Sequence, residues 1–365
     1  MPSIGWQYGE LSVFEKLKAF LVLLPLPLVA LTKLLISCVS SFKNTKSWRR
    51  VLGDSAFRYF ATSSDLKSLQ YLLGTTPGVY ETWVKANGMD VVVDDIGEDA
   101  RLLWMGGKKT DKVILYFHGG GFSLPMQDFA LSFWKYAITE WKEKKGQDIG
   151  FAMLNYTMAT TESFPSQLKQ SILAVQALFS MGVLPENIQL VGDSAGANLI
   201  LQLVSHMLHP LEGVPTLSLP SPFAGTYLMS PWVTLTTGKS PASSSANSAE
   251  DVLSVPLLGR LESAVLPFVP ESQRAYVEAD KAPNGWFSGA DKVVKRVLIT
   301  MGDAECLYPD ILHFSMAFSG VHHTTTFKIQ PGGIHIDPYF DFFAGEKNLG
   351  ELSSTIVDWI SDGFA

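Results

Sequence analysis

Cysteine and charge are both scarce in this 365-residue chain. Its two cysteines, Cys38 and Cys306, are too few for a disulfide framework or a cysteine-based zinc site. Charged residues make up 17% of the chain, against about 25% in an average soluble protein, and they sum to a net charge of −7. No basic block is long enough to follow a phosphate backbone, so a nucleic-acid-binding role is not expected. Internal repeats and low-complexity composition are also missing, which excludes a repeat array and a disordered chain.

Apolar residues are abundant instead, at 47% of the chain, and they include one long run near the N-terminus. Residues 19–39 contain a single charge, Lys33, and as a helix they would be about 31 Å long, enough to cross a bilayer core. The pattern favours a membrane anchor or a segment lying in the membrane surface. A secretory signal is one alternative. A helix buried on the protein itself is another, because Pro25 and Pro27 would kink a membrane-spanning helix. We therefore expect residues 1–42 to associate with an endomembrane, with a cytoplasmic protein as the alternative.

Short apolar runs alternate with longer helical stretches from about residue 90 onward. Runs rich in β-branched and aromatic residues predict strands at 91–93, 101–105, 112–118, 149–154, 188–192, 225–229, 293–301 and 324–329. Helices are expected at 128–144, 165–181, 195–208 and 309–319. This alternation is typical of an α/β fold with a mostly parallel sheet covered by helices on both faces.

The same pattern divides the chain into three parts. Residues 1–42 form the apolar segment, residues 43–89 are expected to be lead-in helices that join a cap, and residues 90–365 form the α/β domain. About residues 231–290 interrupt the alternation. This stretch is too long for an ordinary connection between strands, so it predicts an insertion that packs over the sheet.

A serine motif carries the clearest chemical signal. The sequence GDSAG at 192–196 directly follows a predicted strand and directly precedes a predicted helix. A serine hydroxyl becomes a nucleophile only in an exposed position beside a base, and a sharp strand-to-helix turn with small neighbours provides such a position. The motif therefore predicts Ser194 as the nucleophile.

A second glycine-rich motif, HGGGF at 118–122, ends another predicted strand. Attack on a carbonyl creates an oxyanion, which is stabilised by backbone N–H groups that converge on one point. Consecutive glycines allow the backbone to turn in this way. We predict that Gly120 and Gly121 donate these groups together with the N–H of Ala195.

Taken together, the two motifs resemble those of the hormone-sensitive-lipase-like branch of the α/β-hydrolases, and the resemblance extends over residues 91–365. It implies an eight-stranded, mostly parallel sheet, a helical cap, and serine hydrolysis of carboxylic esters without a metal or an organic cofactor. It also implies a catalytic triad in the chain order serine, acid, histidine. Fungal enzymes of this architecture act in sterol deacetylation and in secondary metabolism.

The histidine of this triad should follow the last strand. His335 lies after the strand predicted at 324–329, in a glycine-containing loop that can lean over the serine, whereas His322 and His323 precede that strand. We therefore predict His335 as the general base.

The acid should follow the strand predicted to end at residue 301. Aligning Leu307 and Asp310 with the acid motif of the family places Glu305 in the catalytic position, where the family usually has an aspartate. Asp303 is the alternative acid and Asp310 a further candidate. Either carboxylate type can orient an imidazole and stabilise its cation.

The predicted function is hydrolysis of a carboxylic ester through an acyl-enzyme on Ser194. Hydrolysis of an amide or formamide, or acyl transfer, would use the same residues. A non-catalytic binding protein on this fold is a further alternative, although the retained His335 argues against it. Phe122, Leu124 and Trp232 are predicted to line an apolar pocket, which with the apolar N-terminus favours an acetyl or short acyl ester of a lipophilic small molecule.

Overall fold

The computed structural model describes residues 7–39, 46–236 and 250–364. An eight-stranded sheet forms its centre, with the strand order β1-β2-β4-β3-β5-β6-β7-β8. The strands are β1 (Val92–Gly97), β2 (Ala100–Met105), β3 (Val113–Phe117), β4 (Gly150–Asn155), β5 (Ile188–Asp193), β6 (Gly225–Met229), β7 (Val297–Gly302) and β8 (Thr325–Gln330). The pairs β1–β2 and β2–β4 are antiparallel and the other five pairs are parallel. The prediction of an eight-stranded, mostly parallel α/β sheet is confirmed.

Strand β3 shows why the central strands have continuous apolar sequences. Val113, Leu115 and Phe117 pack into the core on one face of the sheet, and Ile114 and Tyr116 pack into the core on the other. A parallel strand covered on both faces needs apolar side chains at every position. Strand β8 lies at the edge of the sheet, and its residues alternate between partly buried and exposed.

Helices cover both faces of this sheet and also precede it. They are α1 (Val13–Leu23), α2 (Leu26–Val39), α3 (Trp48–Ser63), α4 (Leu66–Leu73), α5 (Thr76–Ala86), α6 (Asp128–Lys145), α7 (Ser166–Ser180), α8 (Ala195–Leu208), α9 (Val255–Val265), α10 (Arg274–Val277), α11 (Tyr308–Val321), α12 (Asp337–Phe343) and α13 (Glu351–Asp362). Between β6 and β7 the chain carries α9 and α10, which belong to the predicted insertion. The polar part of this insertion, residues 238–248, lies outside the described residues.

The apolar N-terminal run is helical, with a turn where the sequence has proline. Helix α1 ends at Leu23 and α2 begins at Leu26, because Pro25 has no N–H to donate and its ring crowds the preceding turn. The stretch Val13–Ser37 is long and apolar enough to cross a membrane by length and composition, and only 11% of its most apolar window is buried. Helix α2 packs against α3, but most of the large apolar side chains of this stretch face outward.

Helix α3 is attached to the segment that follows His335 through a buried ion cluster. Arg50 is 5% exposed and donates to Asp54 on its own helix, to Asp337 at 2.6 Å and to Asp341, both of α12. A buried arginine is tolerated only when carboxylates surround it in this way. Helix α3 is therefore packed into the α/β part of the chain. The boundaries drawn at residues 42, 89 and 231–290 stay predictions.

Candidate active site

The serine motif forms a tight turn between β5 and α8. Ser194 has φ 51° and ψ −116°, a strained conformation for a residue with a Cβ atom. Backbone hydrogen bonds to the segment after β6 hold it: the Ser194 N–H donates to the Met229 carbonyl at 2.9 Å, and the Ser194 carbonyl accepts from Trp232 at 3.0 Å. A Cβ atom at Gly196 would lie 1.9 Å from the Phe117 carbonyl oxygen, so only glycine lets α8 approach β3 this closely.

His335 and Glu305 form a buried pair beside this turn. The His335 Nδ1 atom lies 3.1 Å from Glu305 Oε2, and the two side chains are 4% and 0% exposed. Glu305 Oε1 accepts from the Gly302 N–H at 2.5 Å and from the Ser230 hydroxyl at 2.7 Å. Ser230 in turn accepts from the Ile336 N–H at 3.0 Å, so one hydroxyl connects the acid to the histidine loop.

Burial controls the protonation of this pair. It raises the pKa of Glu305 above the ordinary value of a glutamic acid, while the donors from Gly302 and Ser230 favour the charged carboxylate. Burial also lowers the pKa of His335, against the charges of Asp251 and Asp193. His335 is therefore neutral at pH 7, which is the state that a general base requires.

The glycine loop after β3 is shaped by an aspartate from the serine motif. Asp193 accepts from the Gly119 N–H at 3.1 Å and from the Tyr116 hydroxyl at 2.5 Å, and burial raises the pKa of Asp193 to about 6. At Gly119 a Cβ atom would lie 2.2 Å from this carboxylate. Gly120 has φ 104°, a conformation that residues with a Cβ atom rarely adopt, so the loop needs its glycines.

His118, the first residue of the glycine motif, has a structural position. It is 1% exposed, stacks on the Tyr156 ring, and its Nδ1 lies 2.7 Å from the Gly119 carbonyl oxygen. A carbonyl only accepts, so Nδ1 carries the proton and Nε2 accepts from the Thr76 hydroxyl at 3.2 Å. Burial lowers the pKa of His118 to about 4, which keeps the ring neutral.

One cavity brings these parts together. Ser194, His335, Gly120 and Gly121 line it on the side of the sheet. Its other walls are mostly apolar and come from the helices before the sheet, from the insertion, and from α6 and α12. They include Phe57 and Phe60 of α3, Leu69 and Leu73 of α4, and Leu258 and Leu261 of α9.

Comparison with known proteins places this site in a family. The family model described as steryl acetyl hydrolase matches residues 103–354, a range that includes Ser194, Glu305 and His335. The chain belongs to the steryl acetyl hydrolase family. A relative in Schizosaccharomyces pombe, the putative steryl acetyl hydrolase mug81, is 28% identical over 160 residues, which are 44% of this chain and 40% of that protein. The chain therefore matches less than half the length of this curated relative.

Solved structures support the same fold. An esterase/lipase from an uncultured bacterium is 19% identical, with a TM-score of 0.64 over 87% of this chain and 99% of that one. A hormone-sensitive lipase from a metagenome library is 22% identical, with a TM-score of 0.58 over 79% of this chain and 91% of that one. The predicted resemblance to hormone-sensitive-lipase-like α/β-hydrolases is confirmed, and so is the prediction of a carboxylic ester hydrolase family.

In this member of the steryl acetyl hydrolase family, most predicted site residues lie at the cavity. Leu124 and Trp232 line it, whereas Phe122 lies behind its wall. The Phe122 ring lies in the core, where it packs against Tyr156 and Trp232 and is 2% exposed, and its place in a substrate pocket stays a prediction. Ala195 is the first residue of α8, so its N–H is one of the unpaired groups at a helix N-terminus.

The alternative acids lie in other surroundings. Asp303 is exposed and accepts from the Gly332 N–H at 2.6 Å, and Asp310 lies in the first turn of α11.

Sequence reasoning missed the parts played by Ser230 and Asp193. The only local signal for Ser230 is its position directly after β6, at the carboxyl edge of the sheet. The contact of Asp193 with Gly119 depends on the pairing of β3 with β5, which the local sequence around Asp193 does not show.

Proposed function

We propose that this chain is a serine esterase that removes an acetyl or short acyl group from a lipophilic alcohol, with a steryl acetate as the first candidate. The observation that carries the proposal is the convergence of Ser194 and His335 on one apolar cavity, with Glu305 hydrogen-bonded to His335. Membership of the steryl acetyl hydrolase family supports the same reaction.

The reaction follows from the roles of these groups. His335 takes the proton of the Ser194 hydroxyl while the serine oxygen attacks the ester carbonyl. The backbone N–H groups of Gly120, Gly121 and Ala195 hold the oxyanion, and His335 then gives its proton to the departing alcohol. Water, activated by His335, cleaves the acyl-enzyme and releases the acid. Glu305 keeps the imidazole in the tautomer that this sequence needs and stabilises the imidazolium.

The walls of the cavity support a large apolar alcohol. Side chains from five helices (α3, α4, α6, α9 and α12) line the cavity beside Ser194, and most of them are apolar. Each apolar group that a ligand buries there contributes about 25 cal/mol per Å², so a sterol skeleton would bind far better than a small alcohol. The name of the Schizosaccharomyces pombe relative, putative steryl acetyl hydrolase mug81, points to the same class of substrate.

A substrate panel tests this proposal. The purified protein is given a sterol acetate, the matching sterol oleate, an acetanilide and p-nitrophenyl acetate, butyrate and decanoate. We expect kcat/KM for the sterol acetate to exceed that for the oleate by at least about tenfold, since even one extra methylene in an acyl site changes specificity by about 10-fold or more. Faster turnover of the acetanilide would favour the amide hydrolase, and transfer of the acetyl group to an added alcohol in preference to water would favour the acyltransferase.

We further propose that α1 and α2 attach the protein to a membrane. Many of their large apolar side chains are exposed by half or more. The exposed set on these helices and the turn between them is Val13, Phe14, Leu17, Phe20, Leu21, Leu24, Leu28, Leu31, Leu35 and Ile36. A substrate as apolar as a steryl ester resides in membranes, so an anchored enzyme would act where its substrate is concentrated.

Charge placed on these two helices tests the attachment. The triple variant Phe14→Asp, Leu28→Asp and Leu35→Asp should release the protein into the soluble fraction, because a charged residue at the centre of a membrane helix costs about 2.5–3.5 kcal/mol. The matched control is Leu184→Asp with Met316→Asp, two exposed apolar residues on the α/β part of the chain. Carbonate-washed membranes are assayed by immunoblot. A wild-type chain found entirely in the soluble fraction would refute the attachment.

A further inference from the structure

We propose that Asp251, contributed by the insertion, is a positioning residue that holds two active-site loops in place relative to each other. These are the acid loop, which follows β7 and carries Glu305, and the histidine loop, which follows β8 and carries His335. The inference rests on the proposed esterase function. It gives the insertion a part in the chemistry in addition to covering the cavity.

The Asp251 carboxylate contacts both loops at once. Its Oδ2 atom accepts from the N–H of Cys306, the residue after Glu305, at 2.8 Å. Its Oδ1 atom accepts from the N–H of His335 at 2.9 Å and from that of Val252 at 2.8 Å. The two loops follow different strands, β7 and β8, so this carboxylate links the backbones of two separate segments that meet at the His335–Glu305 pair.

Asp251 is buried, so its carboxylate depends on these hydrogen bonds for stability. The residue is 1% exposed, and burial raises the pKa of its carboxyl group, while the charge of His335 and the N–H groups of Cys306 and His335 lower it. A buried carboxylate without such donors would be strongly unfavourable. Because its oxygens accept three backbone N–H groups, the carboxylate is stabilised as an acceptor for both loops.

Asp251 also acts on His335 through charge. The charged groups that face the imidazole are Glu305 from the acid loop, Asp251 from the insertion and Asp193 from the serine motif. The imidazole becomes a cation during the reaction, and fixed negative charge in a buried site stabilises that cation. Asp251 therefore combines a geometric effect on two loops with an electrostatic effect on the base.

The segment that carries Asp251 is itself held by α3. Arg58 donates to the carbonyl of Asp251 and, at 2.6 Å, to the carbonyl of Leu253. The Thr62 hydroxyl donates to the Ser254 hydroxyl at 2.9 Å. Helix α3 thus holds residues 251–254 in place, and Asp251 in this segment holds the two loops.

The variant Asp251→Asn tests the proposal. The amide keeps the size but directs an N–H₂ group at one of the backbone N–H donors, so one loop loses its acceptor. We expect kcat per titrated active site to fall by about 10²-fold, the effect of a displacement of about 1 Å in a catalytic group. KM should stay within threefold, because the carboxylate does not line the cavity.

The pH profile separates positioning from a simple folding defect. Activity is lost at low pH as the coupled pair of His335 and Glu305 takes up protons. Negative charge on Asp251 raises the pKa of either group, so its removal should move the acid limb of kcat/KM to lower pH. A folding defect would lower activity equally at every pH. The matched control is Glu278→Gln, another buried carboxylate of the insertion, which binds Thr236 and Lys281 and should leave both readings unchanged.

Fluorophosphonate labelling gives the number of active sites in each sample. An unshifted acid limb, or kcat within threefold of wild type, would overturn the role of Asp251. If Asp251→Asn does not fold, Arg58→Gln is measured instead. This variant keeps the charge of Asp251, so it should lower kcat by about tenfold without shifting the acid limb of kcat/KM. A wild-type kcat in this variant would overturn the inference. A wild-type protein that is not labelled at all would overturn the proposed esterase function, and the inference with it.

Discussion

Replacing Ser194 with alanine should lower kcat for ester hydrolysis by on the order of 10⁶ and abolish labelling by a fluorophosphonate. The substitution removes one hydroxyl oxygen and leaves the backbone bonds of this turn to Met229 and Trp232 in place. Alanine at φ 51° is strained no more than serine, so the fold should be retained. Turnover of p-nitrophenyl acetate and circular dichroism of the same sample provide the measurement.

The matched control for this experiment is Ser123→Ala. Ser123 is also fully buried and lies two residues after Gly121, and its hydroxyl has no hydrogen-bond partner in the described part of the chain. Its removal should leave kcat within about threefold of wild type. A Ser194→Ala protein that retains a tenth of wild-type turnover would show that another residue is the nucleophile.

Replacing Glu305 with glutamine should lower kcat by up to about 10⁴ while the protein stays folded. The glutamine carbonyl can still accept from Gly302 and Ser230, which preserves the packing. Its N–H₂ group then faces His335 Nδ1 and forces that nitrogen to act as an acceptor. The imidazole proton moves to Nε2, the nitrogen that must be free to take the serine proton.

The matched control here is Asp303→Asn, measured at the same pH. Asp303 is exposed and binds the backbone of Gly332, so its amide should keep activity within about tenfold of wild type. If Asp303→Asn is the inactive variant and Glu305→Gln stays within tenfold, Asp303 is the acid. If both variants stay active, Asp310 becomes the candidate.

The parts of the fold that the sequence predicted are those set by local pattern. Strands β3, β5 and β6 are short apolar runs that are buried on both faces, and their positions agree with the predicted runs within one residue at either end. Helix α9 begins directly after Ser254, whose side chain accepts from the Leu257 N–H. The turn at Pro25 was also readable, since proline disrupts a helix wherever it occurs.

The glycine and serine motifs were readable for a related reason. Each of them specifies a backbone conformation that few residue types can adopt: φ 104° at Gly120 and a glycine at 196 where a Cβ atom would collide with the Phe117 carbonyl. Such requirements are met within a few consecutive residues. A motif of this kind can therefore be recognised from the sequence before the fold is known.

Only the tertiary structure decided which distant residues complete the site. Ser230 binds Ile336, 106 positions further along the chain, and Asp251 binds His335, 84 positions further along. The periodicity of the sequence does not predict contacts between residues so far apart. The inward turn of Phe122 and the walls contributed by α3 and α4 also depend on how helices pack over the sheet. The sequence by itself determined the nucleophile turn, the glycine loop and the order of strands and helices, because these follow from the local conformational limits of the backbone. The contacts that orient His335 and shape the cavity came from packing between segments far apart in the chain, because burial and hydrogen-bond partners are set only once those segments meet.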